Sequence, residues 1–184
     1  MNYANIKFND TANGPGVRTV VFVSGCRVRC QGCFNEEAWD FAAGEPFDDK
    51  VRQRVWESID HPWVRGITIL GGEPFEPENQ AELVPFLRET RRRFPKKDIW
   101  CFSGYVFDRD LLPENGRRHV PGLTRALIEC LDVLVDGPYI AAEHDITLRF
   151  RGSANQRVID VPASLAAGRA VLWQDEDVYA SHSW

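Results

Sequence analysis

The sequence lacks the features of a membrane or secreted protein. A membrane-spanning helix needs about 20 mostly apolar residues in a row, and no apolar run among these 184 residues approaches that length. Residues 1–5, Met-Asn-Tyr-Ala-Asn, lack the basic and apolar regions of a signal peptide. We therefore expect a cytoplasmic protein without a membrane partner, in a compartment that disfavours disulfides.

Positive charge is also scarce. The chain carries 22 Lys and Arg residues against 27 Asp and Glu residues, which gives a net charge of −5. Because a nucleic-acid-binding domain needs a basic face, nucleic acid is not an expected partner. The four histidines show no spacing typical of metal ligands, and we expect them to be structural or exposed; they are His61, His119, His144 and His182.

Length and composition are otherwise those of one globular domain. Hydrophobic residues make up 43% and charged residues 27% of the chain, which is ordinary for a domain with a sizeable core. We expect the domain to occupy residues 1–161. Residues 162–184 are expected to form a C-terminal extension, peripheral or partly mobile, with a polar tail from Gln174.

What the sequence does contain is a cluster of cysteines. Three of the five, Cys26, Cys30 and Cys33, follow the spacing C-x3-C-x2-C. Clustered thiols in a reducing compartment indicate a metal or redox site, and thiolates suit iron–sulfur clusters, zinc or Cu(I). Structural zinc and ordinary iron–sulfur sites use four protein ligands. Three thiolates on a four-iron cluster would therefore leave one iron open.

The other two cysteines are expected to pack rather than to bind. Cys101 falls in an apolar strand and Cys130 on a predicted helix face, where cysteine behaves as a small hydrophobic residue. At this point a structural zinc site and an incidental grouping remain alternatives for the three clustered cysteines.

Predicted strands and helices alternate along the chain. The strands are residues 19–23, 66–70, 98–103, 132–138 and 156–161, and the helices begin at Asp48, near residue 80 and at Pro121. Pro85 should kink the second helix or delay its start. Residues 1–18 are a loop or an edge element. This order predicts right-handed βαβ units, and hence an α/β fold with mostly parallel strands.

Four of the predicted strands end in residues suited to chemistry. These ends carry the cysteines, then Gly71-Gly72-Glu73-Pro74, then Ser103-Gly104, and then Asp136-Gly137. The carboxyl ends of parallel strands lie at the same edge of a sheet or barrel. We therefore expect one site built from four distant segments.

The cysteine spacing resembles that of the radical S-adenosylmethionine (SAM) enzymes, in which three such cysteines hold a [4Fe-4S] cluster. The string Gly71-Gly72-Glu73-Pro74, about 40 residues later and after a strand, is similar to their second motif. Glycines let a ligand approach the backbone, and carbonyl and carboxylate oxygens accept hydrogen bonds from an ammonium group. The resemblance implies a partial (β/α) barrel of the radical SAM type, with the cluster and SAM as cofactors.

Further stretches are similar to the glycyl-radical-enzyme activases. They are residues 13–18, Asn-Gly-Pro-Gly-Val-Arg, and residues 33–35, Cys-Phe-Asn. Within that family, the activases of anaerobic ribonucleoside-triphosphate reductase are resembled at residues 1–3, 22–26, 97–100, 103–105 and 134–137. Residues 151–156, Arg-Gly-Ser-Ala-Asn-Gln, resemble a C-terminal motif of the same proteins. The resemblance covers roughly residues 1–161.

This resemblance implies an oxidoreductase that cleaves SAM reductively and generates a glycyl radical. Its partners would be the large subunit of anaerobic ribonucleoside-triphosphate reductase and a low-potential electron donor. The implied cluster ligands are Cys26, Cys30 and Cys33. The implied SAM-binding residues are Gly32, Cys33, Phe34, Gly71, Gly72, Glu73, Pro74, Ser103 and Asp136.

Some of these roles have competing interpretations. Ser103 could simply end a strand, and Asp136 could cap a turn with Gly137. Asn13 and Arg18 are candidates for contact with the partner. Arg18 could instead bind the SAM carboxylate or form a plain salt bridge at the surface.

Two alternatives to the reductase activase stay open. One keeps the radical SAM chemistry but acts on another substrate, as in the activase of pyruvate formate-lyase or a deazaguanine synthase. The other is a non-catalytic, cysteine-based metal-binding module, which would leave Gly71-Gly72-Glu73-Pro74 unexplained.

Overall fold

The computed structural model describes residues 1–174. The strands are β1 (Asn2–Asp10), β2 (Val17–Val23), β3 (Glu45–Pro46), β4 (Val64–Gly71), β5 (Asp98–Phe102), β6 (Val133–Asp136) and β7 (Arg157–Asp160). The α-helices are α1 (Asp49–Ile59), α2 (Pro77–Arg93), α3 (Thr124–Ile128) and α4 (Val161–Ala167). All seven strands form one sheet in the order β3-β1-β2-β4-β5-β6-β7.

The middle of the sheet is parallel and its edges are antiparallel. Strands β2, β4, β5 and β6 pair in parallel, as the alternation of strands and helices predicts. Strands β1 and β3 add an antiparallel edge on one side, and β7 adds one on the other. The α/β class is thus confirmed, and residues 1–18 contain strand β1 next to the sheet edge, which the two-residue strand β3 forms.

Helix α1 forms as its sequence predicts. The Asp48 carboxylate accepts a hydrogen bond from Val51 N at 2.9 Å and caps the first turn. Val51, Val55 and Ile59 lie four residues apart, and all three are buried. The helix ends before His61, the residue that precedes a proline.

Two other helix boundaries were predicted wrongly. Helix α2 begins at Pro77, earlier than residue 80, because proline is suited to the first turn, where its missing N–H leaves no bond unmade. Pro85 lies inside this helix with an exposed side chain, so it does not delay the start. Helix α3 begins at Thr124 rather than at Pro121, since the Thr124 hydroxyl accepts a hydrogen bond from Val120 N at 2.7 Å.

The two faces of the sheet carry different layers. Val21 and Val23 belong to the main core, which also contains the buried faces of α1 and α2. Val20 and Phe22 alternate with them and form a second apolar cluster with Leu70. Apolar surface therefore lines the side of the sheet opposite these helices.

Residues 171–173 of the C-terminal extension pair with the sheet edge at β7. Trp173 N donates to Val158 O at 2.9 Å, and the Trp173 ring meets the Trp100 ring edge-on at 5.0 Å. The predicted polar tail, apart from Gln174, falls outside the described residues. Within residues 1–174, none of the helices combines the length and the apolar character that crossing a membrane requires.

Candidate functional site

The carboxyl ends of the four parallel strands meet at one edge of the sheet, as expected. Val23 of β2 lies opposite Gly71 of β4. Gly72 N donates to Val23 O at 2.6 Å, and Ser103 N, directly after β5, donates to Val135 O of β6 at 2.8 Å. A cavity of about 120 Å³ lies at this edge and is lined by residues from all four ends.

Backbone hydrogen bonds to residues 38–39 fix the start of the loop that carries the cysteines. Gly25 N donates to Ala38 O at 2.8 Å, and Cys26 N donates to Trp39 O at 3.1 Å. Gly25 has a φ of 94°, and a Cβ at this position would lie 2.3 Å from the Phe41 ring. Only glycine fits this turn, which sends the chain from β2 into the cysteine loop.

All three cysteines of this loop are free thiols that line the cavity. Burial raises the pKa of Cys26 to about 11, and burial also raises the pKa of Cys30. The neighbouring backbone amides oppose this rise in pKa at both thiols but do not cancel it. At Cys33, the Asn35 amide donates to Sγ at 3.4 Å.

This donor set fits an iron–sulfur cluster held by three thiolates. Backbone N–H groups that point at ligand sulfurs help to set the properties of such clusters. The thiols with raised pKa values would release their protons when the cluster binds, since only thiolates are ligands. In residues 1–174, no three His, Cys, Asp or Glu side chains lie close enough together to hold a single metal ion.

The remaining two cysteines lie in the protein interior. Cys101 is 1% exposed within β5. Cys130 Sγ donates to Ala126 O at 3.3 Å in the turn that follows α3. Burial raises the pKa of both thiols. Neither lines the cavity, in keeping with the packing role expected for them.

The string Gly71-Gly72-Glu73-Pro74 brings a second loop against the cysteine loop. Gly71 has a φ of 110°. A Cβ on Gly72 would lie 2.5 Å from Gly25 O, and Glu73 N donates to the same oxygen at 2.8 Å. The two loops are thus in direct backbone contact, with Pro74 buried behind them.

The Glu73 side chain joins the ends of β4 and β5. Its Oε1 accepts from Phe75 N at 2.9 Å and from Ser103 Oγ at 2.9 Å, and its Oε2 accepts from Gly104 N at 2.7 Å. Burial raises the pKa of this carboxyl to about 7, although the hydrogen bonds oppose the shift. Since each carboxylate oxygen can accept two hydrogen bonds, Oε2 retains room for another donor.

Ser103 and Asp136 have different surroundings. Ser103 lines the cavity and holds Glu73. Asp136 is 1% exposed, accepts from Phe107 N at 2.7 Å and pairs with Arg157 at 2.6 Å. Gly137, not Asp136, forms the cavity wall at the end of β6. The Asp136 carboxylate is therefore committed to internal partners, and its predicted contact with SAM would have to replace one of them.

A larger cavity of about 440 Å³ adjoins the first one. The two cavities share seven lining residues, among them Cys30, Cys33 and Phe34. Gly32 and Asn13 line the larger one, and the Phe34 side chain is 82% exposed at its edge. The rest of the wall is largely apolar and includes Leu70, Phe102, Tyr139, Leu148 and Phe150.

Arg18 occupies a structural position. It has no exposed surface, its guanidinium donates to Thr68 Oγ1 at 2.8 Å, and it pairs with Asp98 at 2.6 Å. Burial lowers its pKa, whereas Asp98 raises it. Thr68 in turn donates to Asn13 O at 2.7 Å. Arg18 is therefore not placed to touch a partner or SAM, because it is fully buried, and its salt bridge is internal rather than at the surface.

Residues that tie α2 to the cysteine loop were not predicted from the sequence. The Asn79 amide donates to Ser24 O at 3.0 Å and to Glu73 O at 2.9 Å. The buried Glu76 carboxylate accepts from Arg27 N at 2.9 Å. The available signal in the sequence was a pair of polar residues, Glu76 and Asn79, at the start of a helix that follows a glycine-rich turn.

Comparisons with known proteins agree with this geometry. A family model described as a 4Fe-4S single cluster domain matches residues 12–159. The anaerobic ribonucleoside-triphosphate reductase-activating protein of Haemophilus influenzae is 38% identical over 158 residues, which cover 85% of this chain and 96% of the relative. This chain belongs to the family of those activating proteins. The Escherichia coli K12 protein of that name is 32% identical over 86% of this chain and 97% of its own length. The phage T4 member is 33% identical, with coverages of 86% and 93%.

Proposed function

We propose that this chain is an activase that uses a [4Fe-4S] cluster and SAM to generate a glycyl radical on the large subunit of anaerobic ribonucleoside-triphosphate reductase. The observation that carries the proposal is one cavity lined by the free thiols of Cys26, Cys30 and Cys33 together with Gly72 and Glu73. The relatives bear the name of activating proteins for that reductase, and this chain spans nearly their whole length.

The three thiolates of the loop would hold the cluster and leave one iron open for SAM. Bound there, the cluster and SAM would supply the one-electron chemistry that removes a hydrogen atom from a glycine of the partner. The protein positions these groups and excludes water from them. The half-buried setting of Cys30 and Cys33 suits that task.

The chain's own residues would orient SAM from two sides. The backbone at Gly72 and the open acceptor position on Glu73 Oε2 would receive the amino group of its methionine part, while Ser103 holds the Glu73 carboxylate in place. A cation beside Glu73 favours the ionised carboxyl and so lowers its pKa. On the other side, the backbone of Gly32 and Phe34 would lie near the adenine.

The proposal also covers the domain, the source of the electron and the location of the enzyme. Residues 1–161 form the activase domain, and the parallel strands β2, β4, β5 and β6 are the core of a partial (β/α) barrel of the radical SAM type. A low-potential donor supplies the electron. The enzyme works in the cytoplasm, where thiols stay reduced, which five free cysteines support.

An anaerobic cleavage assay tests the proposal. The protein is reconstituted with iron and sulfide, reduced, and mixed with SAM, and 5′-deoxyadenosine is measured. We expect cleavage, and a glycyl radical by electron paramagnetic resonance (EPR) when the reductase large subunit is added. Absence of cleavage would overturn the radical SAM chemistry. A radical on pyruvate formate-lyase but not on the reductase would overturn the assigned partner.

Two cysteine variants test the ligand set in the same assay. We expect Cys30→Ala to lose the cluster and the cleavage together, because one of three iron ligands is gone. Cys101→Ala is the matched control and should keep both, since its thiol is buried in β5. Loss of iron from Cys101→Ala would contradict the three-ligand assignment.

A further inference from the structure

The loop between β1 and β2, residues 11–16, has no role in the site as described so far. Two of its residues, Ala12 and Asn13, line the larger cavity but not the smaller one. At the end of β1, Asp10 Oδ1 accepts from Ala12 N at 2.9 Å and from Asn13 N at 3.0 Å. This loop precedes β2, whereas the cysteine loop follows it. The two loops therefore reach the larger cavity from opposite ends of the same strand.

The first of these loops folds back over the sheet. Asn13 O accepts from Thr68 Oγ1 at 2.7 Å, and Thr68 lies opposite Val20 in the middle of the sheet. Thr68 precedes Gly71, the last residue of β4, by three residues, which corresponds to about 10 Å of strand. Leu70 lies on the apolar face between these points and lines the larger cavity. The loop thus forms the wall of this cavity that is farther from the cysteines.

A buried arginine supports this loop. The Arg18 guanidinium donates to Pro15 O at 3.2 Å through Nη1 and to Thr68 Oγ1 at 2.8 Å through Nε. A Cβ on Gly14 would lie 2.9 Å from Arg18 Cδ, so the loop backbone lies directly on the arginine side chain. Arg18 and Thr68 have no exposed surface. Both are therefore shielded from a ligand in the cavity and act on it only through the loop that they hold.

The pair is polar on a face of the sheet that is otherwise apolar around it. Burying a guanidinium among apolar side chains is costly unless its donors find acceptors. The carbonyl oxygens of Asn13 and Pro15, which lie outside the strand ladder, need donors in turn. Arg18 and Thr68 supply these donors. The hydrogen-bonding needs of the arginine and of the loop are therefore met by each other, which fixes the loop in one position.

The larger cavity is suited to the glycine-bearing segment of the partner. In the proposed function, the backbone of Gly72 and the Glu73 carboxylate receive SAM on the side of the cysteines. A glycine of the partner must come close to it in a space without water. The larger cavity adjoins the thiols, has a volume of about 440 Å³ and is largely apolar. The end of it that lies away from the thiols, at Ala12 and Asn13, is where the partner would enter.

We propose that Arg18 and Thr68 are positioning residues for the partner: they hold residues 11–16 as the far wall of the larger cavity, against which the glycine-bearing segment binds. The inference rests on the proposed function. When the loop is released, affinity for the partner is lost, while the cluster and the cleavage of SAM are kept. A wild type that does not cleave SAM contradicts the proposed function, whereas an intact affinity after release of the loop contradicts only this inference.

Thr68→Val is the first test, because valine has a similar shape but lacks the hydroxyl that joins Arg18 to Asn13 O. The initial rate of glycyl-radical formation is measured by EPR at increasing concentrations of the reductase large subunit. We expect a KM for the large subunit about fivefold above that of the wild type, with kcat within about twofold of it. Iron content and the cleavage of SAM in the absence of the subunit should match the wild type.

Two further variants make this test specific. Thr68→Ser keeps the hydroxyl and should restore the wild-type KM. Thr19→Val removes the hydroxyl of another fully buried threonine, which bonds to Ser58 Oγ of α1 at 2.7 Å, and should leave KM and kcat unchanged. An unchanged KM for the large subunit in Thr68→Val would overturn the proposal. The same holds for a KM that rises for SAM instead, or that rises equally in Thr19→Val.

Hydrogen exchange decides the matter if Thr68→Val does not take up a cluster. The wild type, loaded with cluster and SAM, is compared by mass spectrometry with and without the large subunit. We expect the bound subunit to slow exchange in peptides that cover residues 11–16 and residues 30–34, which bound the larger cavity at its two ends. Unchanged exchange at residues 11–16 would overturn the proposal.

Discussion

The two sides of the small cavity are built by different means. On the side of the cysteines, the loops after β2 and β4 touch through main-chain atoms, with Glu73 N bonded to Gly25 O at 2.8 Å. On the opposite side, the Asn155 and Gln156 side chains hold the chain after β6, residues 137–144, which we call the strap, and the Arg157 side chain pairs with Asp136 at the end of β6. A backbone bond from Ala154 N to Glu143 O at 2.9 Å adds to them. Backbone contact leaves no room for a larger residue, whereas a side-chain clamp can be weakened in steps.

The largest effect is expected where the backbones touch. A Cβ in Gly72→Ala would lie 2.5 Å from Gly25 O and 2.9 Å from Ala38 O, so the cysteine loop must move away. We expect a loss of roughly 3 kcal/mol in the free energy of unfolding, measured by urea denaturation. We also expect little iron after reconstitution, measured by iron analysis.

Gly122→Ala is the matched control for this variant. Gly122 has a φ of 77°, and a Cβ there would meet no atom within 4 Å. Its replacement should cost about 1 kcal/mol from the left-handed backbone alone and leave the iron content unchanged. Equal iron loss in both variants would contradict the role of close loop contact.

The second effect concerns Glu73, a buried side chain on the side of the cysteines. Its pKa is raised from 4.5 to about 7 in the folded protein, so the folded state binds its proton more tightly than the unfolded state. The contribution of this group to stability is therefore complete below about pH 4.5 and is lost as the pH rises to about 7. At 1.36 kcal/mol per pKa unit, the loss is about 3 kcal/mol.

Comparison of the wild type with Glu73→Gln isolates this effect. The difference between their free energies of unfolding, measured in urea on cluster-free protein from pH 4 to pH 8, should shift in favour of the variant as the pH rises. A Glu57→Gln variant on α1 is the control, since Glu57 is an exposed helix residue. A difference that stays constant with pH would show that the Glu73 carboxyl titrates normally in the fold.

The cysteine side could be predicted from the sequence because its constraints are local. A spacing such as that of Cys26, Cys30 and Cys33 and a glycine pair after a strand are visible in a few consecutive residues. The same holds for the parallel middle of the sheet, since buried strands and capped helices alternate. The structure confirms the α/β class and brings the four strand ends together at one cavity.

The strap side could not be predicted in this way. The contacts of Asn155 with Pro138 and of Arg157 with Asp136 join residues about 20 positions apart, and no periodic pattern marks them. Asp136 was assigned to SAM through the family resemblance at residues 134–137, and in the structure a cation from β7, the antiparallel neighbour of β6, pairs with it. Arg18 was misplaced for the same reason, since its partner Asp98 is 80 positions away.

The smallest of the three effects is expected on the strap side. In Arg157→Met the carboxylate of Asp136, 1% exposed, loses its cation but keeps the Phe107 N–H. An unpaired buried charge is costly, yet the Arg157 side chain is 31% exposed, so water replaces part of the interaction. We expect a loss of about 2 kcal/mol in the free energy of unfolding, measured by urea denaturation.

Removing both charges in Asp136→Asn/Arg157→Met should recover part of this loss, because no buried charge remains unpaired. Arg125→Met, which removes an exposed helix pair with Glu129, should stay within about 0.5 kcal/mol of the wild type. If Arg157→Met cost no more than Arg125→Met, the strap side would not depend on this ion pair but on its other bonds, among them those of Asn155, Gln156 and the Glu143 backbone.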